Sequence, residues 1–503
     1  MNLFRTKSIE RSLADADEPG HGLKRTLTTW DLMIMGIAVA VGAGIFSVGA
    51  KAAAHHAGPA VTVSFVLAAV TCALAIMCYA EFATAIPVTG SAYVFTYATV
   101  GELLAWIIGW NLILELLMAA SVIAKYWGIY LSNFFEAVNL DIPSNFALGP
   151  VTVFWGPLVV VAAFTFVLVM GTKLAARINN VFTLIKICIV LFVIVVGFFY
   201  VKVENYQPFI PPSQPVTATD TSWQVQPFLS LLTGAEPAMY GFVGIVSGAA
   251  LVFFAFIGFD VVATSAEEVK NPAKTLPRGI FAGLAVVTVL YILVTLAVTG
   301  MVSYKDLAKV ADPSLSTAFS LVGAEWAVVV ISLGSLIGLT TVIMVLLMGL
   351  ARVMMAMSRD GLLPRGLSKT SDRHATPART QILSGVLVAI LAGFTPVELL
   401  SEMINIGTLS AFVMVSIGIL VLRHKRPDLK PAFRVPFGPV IPVLSALLCI
   451  YLMLNLATLT WVFFAVWLVV GLVFYFGYGY WNSRLRKEDA VAASLAKSVT
   501  PLD

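Results

Sequence analysis

Apolar residues in this chain are gathered into long unbroken runs separated by short polar stretches. Most runs reach about 20 residues, the length at which a helix crosses the ~30 Å hydrocarbon core of a bilayer. Twelve can be marked, at about 30–54, 60–86, 92–132, 151–171, 178–201, 241–266, 278–302, 324–356, 380–395, 398–422, 439–458 and 460–481. The pattern predicts an all-α integral membrane protein with twelve transmembrane helices. The third and eighth runs are long enough to tilt or to extend past the bilayer. The longest polar stretch, about 203–240, is rich in Pro and Gln and has little periodicity. It predicts an irregular or partly helical cap.

Composition narrows the choice between one membrane domain and several soluble ones. Charged residues make up 12% of the 503, against roughly 25% in soluble domains, and mean hydropathy is +0.93. Length alone would suit about three soluble domains, but the runs favour one continuous membrane domain. Cys72, Cys78, Cys188 and Cys449 all lie inside apolar runs. They are expected to be small buried hydrophobes without a disulfide framework. The first 29 residues are polar and mixed in charge, unlike a cleavable signal peptide.

Charge sets the expected orientation. With the N-terminus in the cytoplasm and twelve crossings, 25 of the 31 basic residues fall in cytoplasmic segments or inner helix ends. The exceptions are Lys51, Lys125, Lys186, Lys202, Lys305 and Lys309. This positive-inside bias predicts that both termini face the cytoplasm. The expected layout is a tail at 1–29, a first five-helix unit at 30–201 and an extracellular loop at 202–240. A second five-helix unit follows at 241–422, then two helices at 423–481 and a tail at 482–503.

Two runs contain a break signal at mid-span. The first concentrates glycine at Gly36, Gly42 and Gly44; the sixth has Phe253 to Phe259 after Gly241, Gly244 and Gly248, with Gly258 inside. Glycine costs a helix about 1 kcal/mol relative to alanine and permits close approach of backbone and ligand. Unwound backbone at membrane depth is tolerated where it lines a cavity or binds something. A half-helix N-terminus suits a carboxylate, and freed carbonyls suit an ammonium. Together they fit the two charged groups of an amino acid. The competing reading is close packing between helices at small residues. Interruptions at corresponding places in two halves point more strongly to a transporter site.

Several motifs resemble one family. They are Gly42-Ala43-Gly44-Ile45-Phe46 with Ala57-Gly58-Pro59-Ala60, and Tyr79-Ala80-Glu81-Phe82 with Pro87-Val88-Thr89-Gly90-Ser91-Ala92-Tyr93. Further on come Phe254 to Asp260 with Glu267-Glu268-Val269-Lys270-Asn271-Pro272, Ser358-Arg359-Asp360-Gly361-Leu362-Leu363-Pro364, and Arg434-Val435-Pro436-Phe437. From about 25 to 480 the chain resembles the amino acid–polyamine–organocation superfamily, in the branch of bacterial relatives of the cationic amino acid transporters. The resemblance implies a LeuT-type fold of five plus five inverted helices with helices one and six broken, alternating access and, often, proton coupling. It implies that Val41, Gly42, Ala43 and Gly44 meet a substrate carboxylate. Phe254, Ala255 and Ile257 would offer carbonyls to the amine, with Phe254 as a lid. Ala43 stands where relatives often carry Ser or Thr, which leaves one hydroxyl fewer.

Three further positions bear on chemistry. Lys186 lies inside the fifth run, roughly 13 Å along the helix from Arg177. It either snorkels to the cytoplasmic headgroups or stays buried, able to gain and lose a proton. In some proton-coupled relatives a fifth-helix lysine occupies the place of a sodium ion, and the resemblance implies that Lys186 carries the coupled proton. Glu115, inside the third run, either meets a cationic substrate group or proton, or serves as a structural partner for Lys125, Asn111 or a backbone donor. Lys125, nearer the outer end, is expected to snorkel. Leu346 and Leu347 on the eighth run are expected to shape the pocket beside a neutral side chain, with Thr340 and Thr341 either lining it or bonding back to their own helix.

Glu81, Asp260, Glu267, Glu268 and Arg352 near inner helix ends fit either an inner gate or static surface pairing of modest energy. His55 and His56 are expected to anchor an interface. The histidines lie in tails, loops or helix ends, without H-E-x-x-H, and no G-x-x-x-x-G-K-[ST] is present. No metal site, cofactor or ATP-driven pump is therefore expected. A channel filter would require rings of subunit motifs. The expected function is a secondary amino acid carrier in the cell membrane, proton-coupled, with an exchanger or cationic uniporter as the alternative. Its expected partners are an amino acid substrate, protons and the bilayer, not nucleic acid. The sequence leaves open whether a small membrane subunit accompanies it.

Overall fold

The computed structural model describes residues 5–6, 27–42, 44–85, 91–148, 151–170, 172–215, 223–259, 262, 269–310, 312–369, 376–427, 429 and 431–488. Ala43, Asp260, Glu267, Glu268, positions 86–90 and most of both tails lie outside the described residues.

The first helix, α1 (Thr29–Ala40), begins where Thr28 and Asp31 cap each other. The Asp31 carboxylate accepts the Thr28 amide, while Asp31 N–H donates to the Thr28 hydroxyl. This reciprocal box is encoded by Thr-x-x-Asp ahead of an apolar run. After the interruption at Val41 and Gly42 the chain resumes as a π-helical turn (Gly44–Val48), α2 (Gly49–Ala52) and a second π turn (Ala53–Ala57). Then come α3 (Val61–Ala85), α4 (Ser91–Thr99) and α5 (Glu102–Ala137). A two-stranded ribbon of β1 (Asn145–Leu148) and β2 (Val151–Phe154) leads into α6 (Trp155–Met170) and α7 (Thr172–Phe198). A second small ribbon, β3 (Gln214–Pro215) with β4 (Ala238–Met239), brackets the short α8 (Phe228–Thr233).

The remainder runs α9 (Gly241–Val252), a 3-10 turn (Phe253–Phe256), α10 (Pro272–Met301), α11 (Tyr304–Leu307) and α12 (Leu315–Leu321). The long α13 (Glu325–Arg359) follows, with α14 (Ala378–Phe394), α15 (Val397–Lys425), α16 (Val440–Leu454) and α17 (Thr458–Phe474). A π turn (Tyr475–Gly479) and α18 (Tyr480–Asn482) follow, and the described chain runs on as helix at 484–488.

Among the described residues, seven helices are long and apolar enough to cross a membrane, and five shorter apolar helices accompany them. Their outward faces are apolar too: Val159, Phe166, Leu184, Val195, Val466 and Val473 are all exposed. In water such continuous apolar surface would drive association; against lipid tails it is the stable arrangement. The molecule is therefore an all-helical, multi-pass membrane protein.

Two runs differ from the expectation. The third does not begin as helix at 92 and run on unbroken: α4 and α5 are separated at Gly101, whose φ of +132° breaks the ladder. The fourth starts as strand β2 before the helix, because Val151–Phe154 are satisfied by pairing with Asn145–Leu148. Below the break, buried Glu102 accepts hydroxyl hydrogen bonds from Tyr97, Tyr475 and Ser483 at 3.2, 3.0 and 2.6 Å, tying α4, α5 and the C-terminal turn together. Cys72, Cys78 and Cys449 are buried as expected, but Cys188 is exposed on the outer face of α7. All four are free thiols.

In the interior, α5 packs against α13 and α15, α10 packs against α1 and α3, and α7 lies along α13. That arrangement encloses the two interrupted segments.

Candidate functional site

The two interruptions are real and they touch. At the first, Val41 leaves helical geometry (φ −70°, ψ 90°) and Gly42 bends before the chain re-enters a helix at Gly44. At the second, the 3-10 turn ends at Ile257 (φ −66°, ψ 140°) and Gly258 takes φ +105°. That φ suits glycine, which has no Cβ to clash. A Cβ placed on Gly44 would sit 2.4 Å from Ala255 Cα. Backbone meets backbone there, and only glycine allows it.

Not every glycine of these runs serves that purpose. A Cβ on Gly244 would meet the His56 carbonyl oxygen at 2.2 Å, and one on Gly248 the Ser64 hydroxyl at 2.9 Å. Gly36 packs on Phe259. Close packing accounts for these three, and interruption for Gly42, Gly44 and Gly258.

Ending a helix frees carbonyls, which must find donors when buried. Tyr291 of α10 supplies one for both interruptions. Its hydroxyl lies 2.6 Å from the Ala40 carbonyl and 2.7 Å from the Ala255 carbonyl. A phenol carries one proton, so it serves one of the two carbonyls at a time. Tyr130 of α5 donates to the Phe46 carbonyl at 2.5 Å, and Asn405 of α15 to the Leu251 carbonyl at 3.2 Å. None of these three was singled out from sequence. A tyrosine or asparagine in an apolar run was the available signal.

Lys186 is fully buried, which excludes the snorkelling alternative. Its ammonium donates to the Ala38 carbonyl in the N-terminal half of the first run and to the Thr341 hydroxyl of α13 at 3.2 Å. A Cβ on Gly338 would lie 3.0 Å from Lys186 Cβ, so α7 and α13 approach closely through that glycine. Thr341 donates in turn to the Gly338 carbonyl. Thr340 donates to the Leu336 carbonyl and accepts from the Trp127 indole of α5 at 3.2 Å. Both threonines bond back to their own helix, and each also receives a donor from a neighbouring helix.

The remaining expected positions are dispersed. Val41, Gly42, Gly44, Phe254, Ala255 and Ile257 are brought to the interruptions; Ala43 lies outside the described residues. Gly42 faces Val342 of α13, whose methyl would be 3.3 Å from an added Cβ. Leu346, one turn on from Val342, follows it on the same face. Leu347 is buried seven residues beyond Thr340, and that spacing returns it to the face turned toward α5. Glu115 is 2% exposed at the crossing of α5 and α15, where a Cβ on Gly407 would lie 3.7 Å from its amide nitrogen. Asn111, one turn earlier, donates to Ser410 of α15 at 3.1 Å.

Three peripheral expectations change. Lys125 does not snorkel: it is 7% exposed, with its ammonium 3.9 Å from the centre of the Phe154 ring. The ribbon strand β2 folds that ring over it. Glu81 is not part of a loose surface pair. It is 1% exposed and held by Arg423 at 2.5 and 2.8 Å and by the Val435 amide at 2.7 Å. This forked arrangement is among the stronger ion-pair geometries, and it clamps α3 to α15 and to the part of the following loop that leads into α16. His56 does not simply anchor an interface; its ring nitrogen bonds the Ser247 hydroxyl of α9 at 3.1 Å.

A multi-pass helical membrane protein enclosing two abutting interrupted helices is the class that these features define. The amino acid permease profile matches residues 27–476, and the chain belongs to that family, within the amino acid–polyamine–organocation superfamily. It is 43% identical to the branched-chain amino acid permease of Bacillus subtilis (strain 168), over 97% of this chain and 99% of that protein. It is 42% identical to the methylthioribose transporter of the same organism, over 97% of this chain and 100% of the other. A vacuolar cationic amino acid transporter of Arabidopsis thaliana is 36% identical, over 86% of this chain and 64% of its own length.

Proposed function

We propose that this chain is a secondary active transporter that carries L-amino acids into the cell together with protons, by alternating access. The contact of Gly44 with Ala255, spanned by the Tyr291 hydroxyl, carries this reading. In it the chain crosses the cell membrane twelve times, as two inverted five-helix units and two further helices, with both termini in the cytoplasm. The distribution of Lys and Arg supports that orientation.

The substrate carboxylate sits on the backbone of Val41, Gly42, Ala43 and Gly44, at the positive end of the helical stretch that opens at Gly44. The ammonium meets carbonyls of Phe254, Ala255 and Ile257. Tyr291 keeps both interruptions at fixed separation, so the two charged ends of one ligand are read together. Val342 and Leu346 give the side-chain end an apolar wall, with Leu347 and Glu115 farther along α13 and α5. That wall and the names of two relatives, the branched-chain amino acid permeases of Bacillus subtilis and Lactococcus lactis, favour a neutral branched-chain substrate.

Lys186 carries the coupled proton. When charged, its ammonium fastens the inner half of the first helix at Ala38 to α7 and, through Thr341, to α13. A neutral amine donates more weakly, and this frees that half-helix to swing. A second reading is an exchanger or cationic uniporter: Glu115 sits at membrane depth, where a carboxylate pairs well with a cationic side chain. A third substrate class, methylthioribose, follows from the name of a relative of nearly equal identity.

The test is saturable uptake into proteoliposomes of labelled leucine, isoleucine, arginine and methylthioribose, with and without an inward proton gradient. Gradient-stimulated uptake of branched-chain amino acids supports the reading. Uptake that ignores the gradient and follows internal amino acid makes the protein an exchanger. Uptake of methylthioribose alone refutes the amino acid assignment.

A further inference from the structure

Away from the interruptions lies a cavity of about 620 Å³, within the range of small-molecule sites of about 300–1,000 Å³. Its walls come from the far end of α5, from β2 and the start of α6, from the segment before α12, and from the turn between α14 and α15. In the reading above, every one of these stretches lies at the outer face. Lys125 and Phe154 form one wall; Asp312, Asn133, Thr152 and Pro396 also line the space.

Two opposite charges therefore share one small cavity. The Lys125 ammonium is 7% exposed and backed by the Phe154 ring at 3.9 Å. A cation over an aromatic face is held there by the ring's quadrupole, and away from bulk water it attracts a carboxylate more strongly. Asp312 is fixed by Lys51, at 3.6 Å, on the stretch between the first interruption and α3. Lys125 is ten residues from Glu115 on α5, about 15 Å along the helix axis. The cavity is thus separate from the interruptions but continuous with the helix that flanks them.

We infer that this cavity is an entry site that takes a zwitterionic amino acid, its carboxylate on Lys125 and its ammonium toward Asp312, before transfer to the interrupted helices. The inference rests on the proposed transport of amino acids and adds a second place for the same ligand.

The experiment is equilibrium binding of labelled L-leucine to the purified full chain in lipid nanodiscs, with stoichiometry as the readout. The wild type is expected to bind two molecules per chain. Asp312→Asn, at the half-exposed rim, should weaken one of the two binding events about tenfold, the scale of one charge-assisted contact. Lys125→Met, checked for a monodisperse elution profile, should abolish the same event and leave the other. One molecule per chain in the wild type, with affinity indifferent to Asp312→Asn, overturns the entry site while leaving the transport reading intact. No binding of leucine at all overturns both.

Discussion

Adding one methyl group at Gly44 should separate the two interrupted helices. An alanine Cβ there would lie 2.4 Å from both Ala255 Cα and Ala255 Cβ, where apolar carbons rest at about 3.5–4.0 Å. More than an ångström of overlap falls on backbone, which cannot rotate away as a side chain can. Overpacking of this kind costs about 1–3 kcal/mol and sometimes more. It would be relieved by pushing the first interruption off the second, which also stretches the Tyr291 bridge. At about 1.4 kcal/mol per decade, Gly44→Ala should weaken substrate binding by about tenfold or more. Gly49→Ala, outside the proposed site, is the internal control, since its Cβ would meet the Thr295 methyl at 3.3 Å and the Phe65 ring at 3.5 Å, side chains that can give. Its affinity should stay within about threefold of wild type, a cost below about 0.7 kcal/mol. The assay is leucine binding to purified, monodisperse variants, with thermal stability measured alongside. Equal affinities for the two variants would refute the inference that the interruptions are held in register by contact at Gly44.

Other substitutions probe the remaining parts. Tyr291→Phe removes the hydroxyl from two buried carbonyls, and losing one buried partner costs about 1–3 kcal/mol; KM for uptake should rise about tenfold while the protein still folds. Lys186→Ala should abolish stimulation by an inward proton gradient yet leave residual exchange, and full gradient-driven uptake by this variant would end its assigned role. Arg423→Met strands the buried Glu81 carboxylate at an expected cost of about 3–5 kcal/mol, seen as a large fall in melting temperature; the double variant with Glu81→Gln should recover part of it. Glu115→Gln should leave leucine uptake within about twofold if the substrate is neutral, but lower arginine uptake more than tenfold if the side chain pairs with a cation, the scale of a lost charged partner.

Runs of apolar residues made the membrane helices legible, because a bilayer selects length and hydropathy in a way that survives in one sequence. The breaks near Gly42 and Gly258 were legible because glycine is a local signal of interruption. Other features depend on neighbours distant in sequence. Nothing near Tyr291 shows that its hydroxyl reaches two interruptions at once, and nothing near Glu81 shows a forked partner 342 residues away. Lys125 looks like a snorkelling lysine until β2 folds Phe154 over it. The division of glycines into those that interrupt and those that pack likewise needed the partner helix: Gly44 and Gly244 look alike in sequence, yet one faces Ala255 and the other His56.

In the proposed mechanism one ligand's carboxylate and ammonium are read together by the two interrupted helices. Competition against labelled leucine uptake by leucinamide, which lacks the carboxylate, and by N-acetylleucine, which lacks the ammonium, tests it most directly. Each should compete at least about tenfold more weakly than leucine, since each loses a charged contact of about 1.5–3 kcal/mol. If either analogue competes as well as leucine itself, the interruption that should read its missing group is not part of the substrate site.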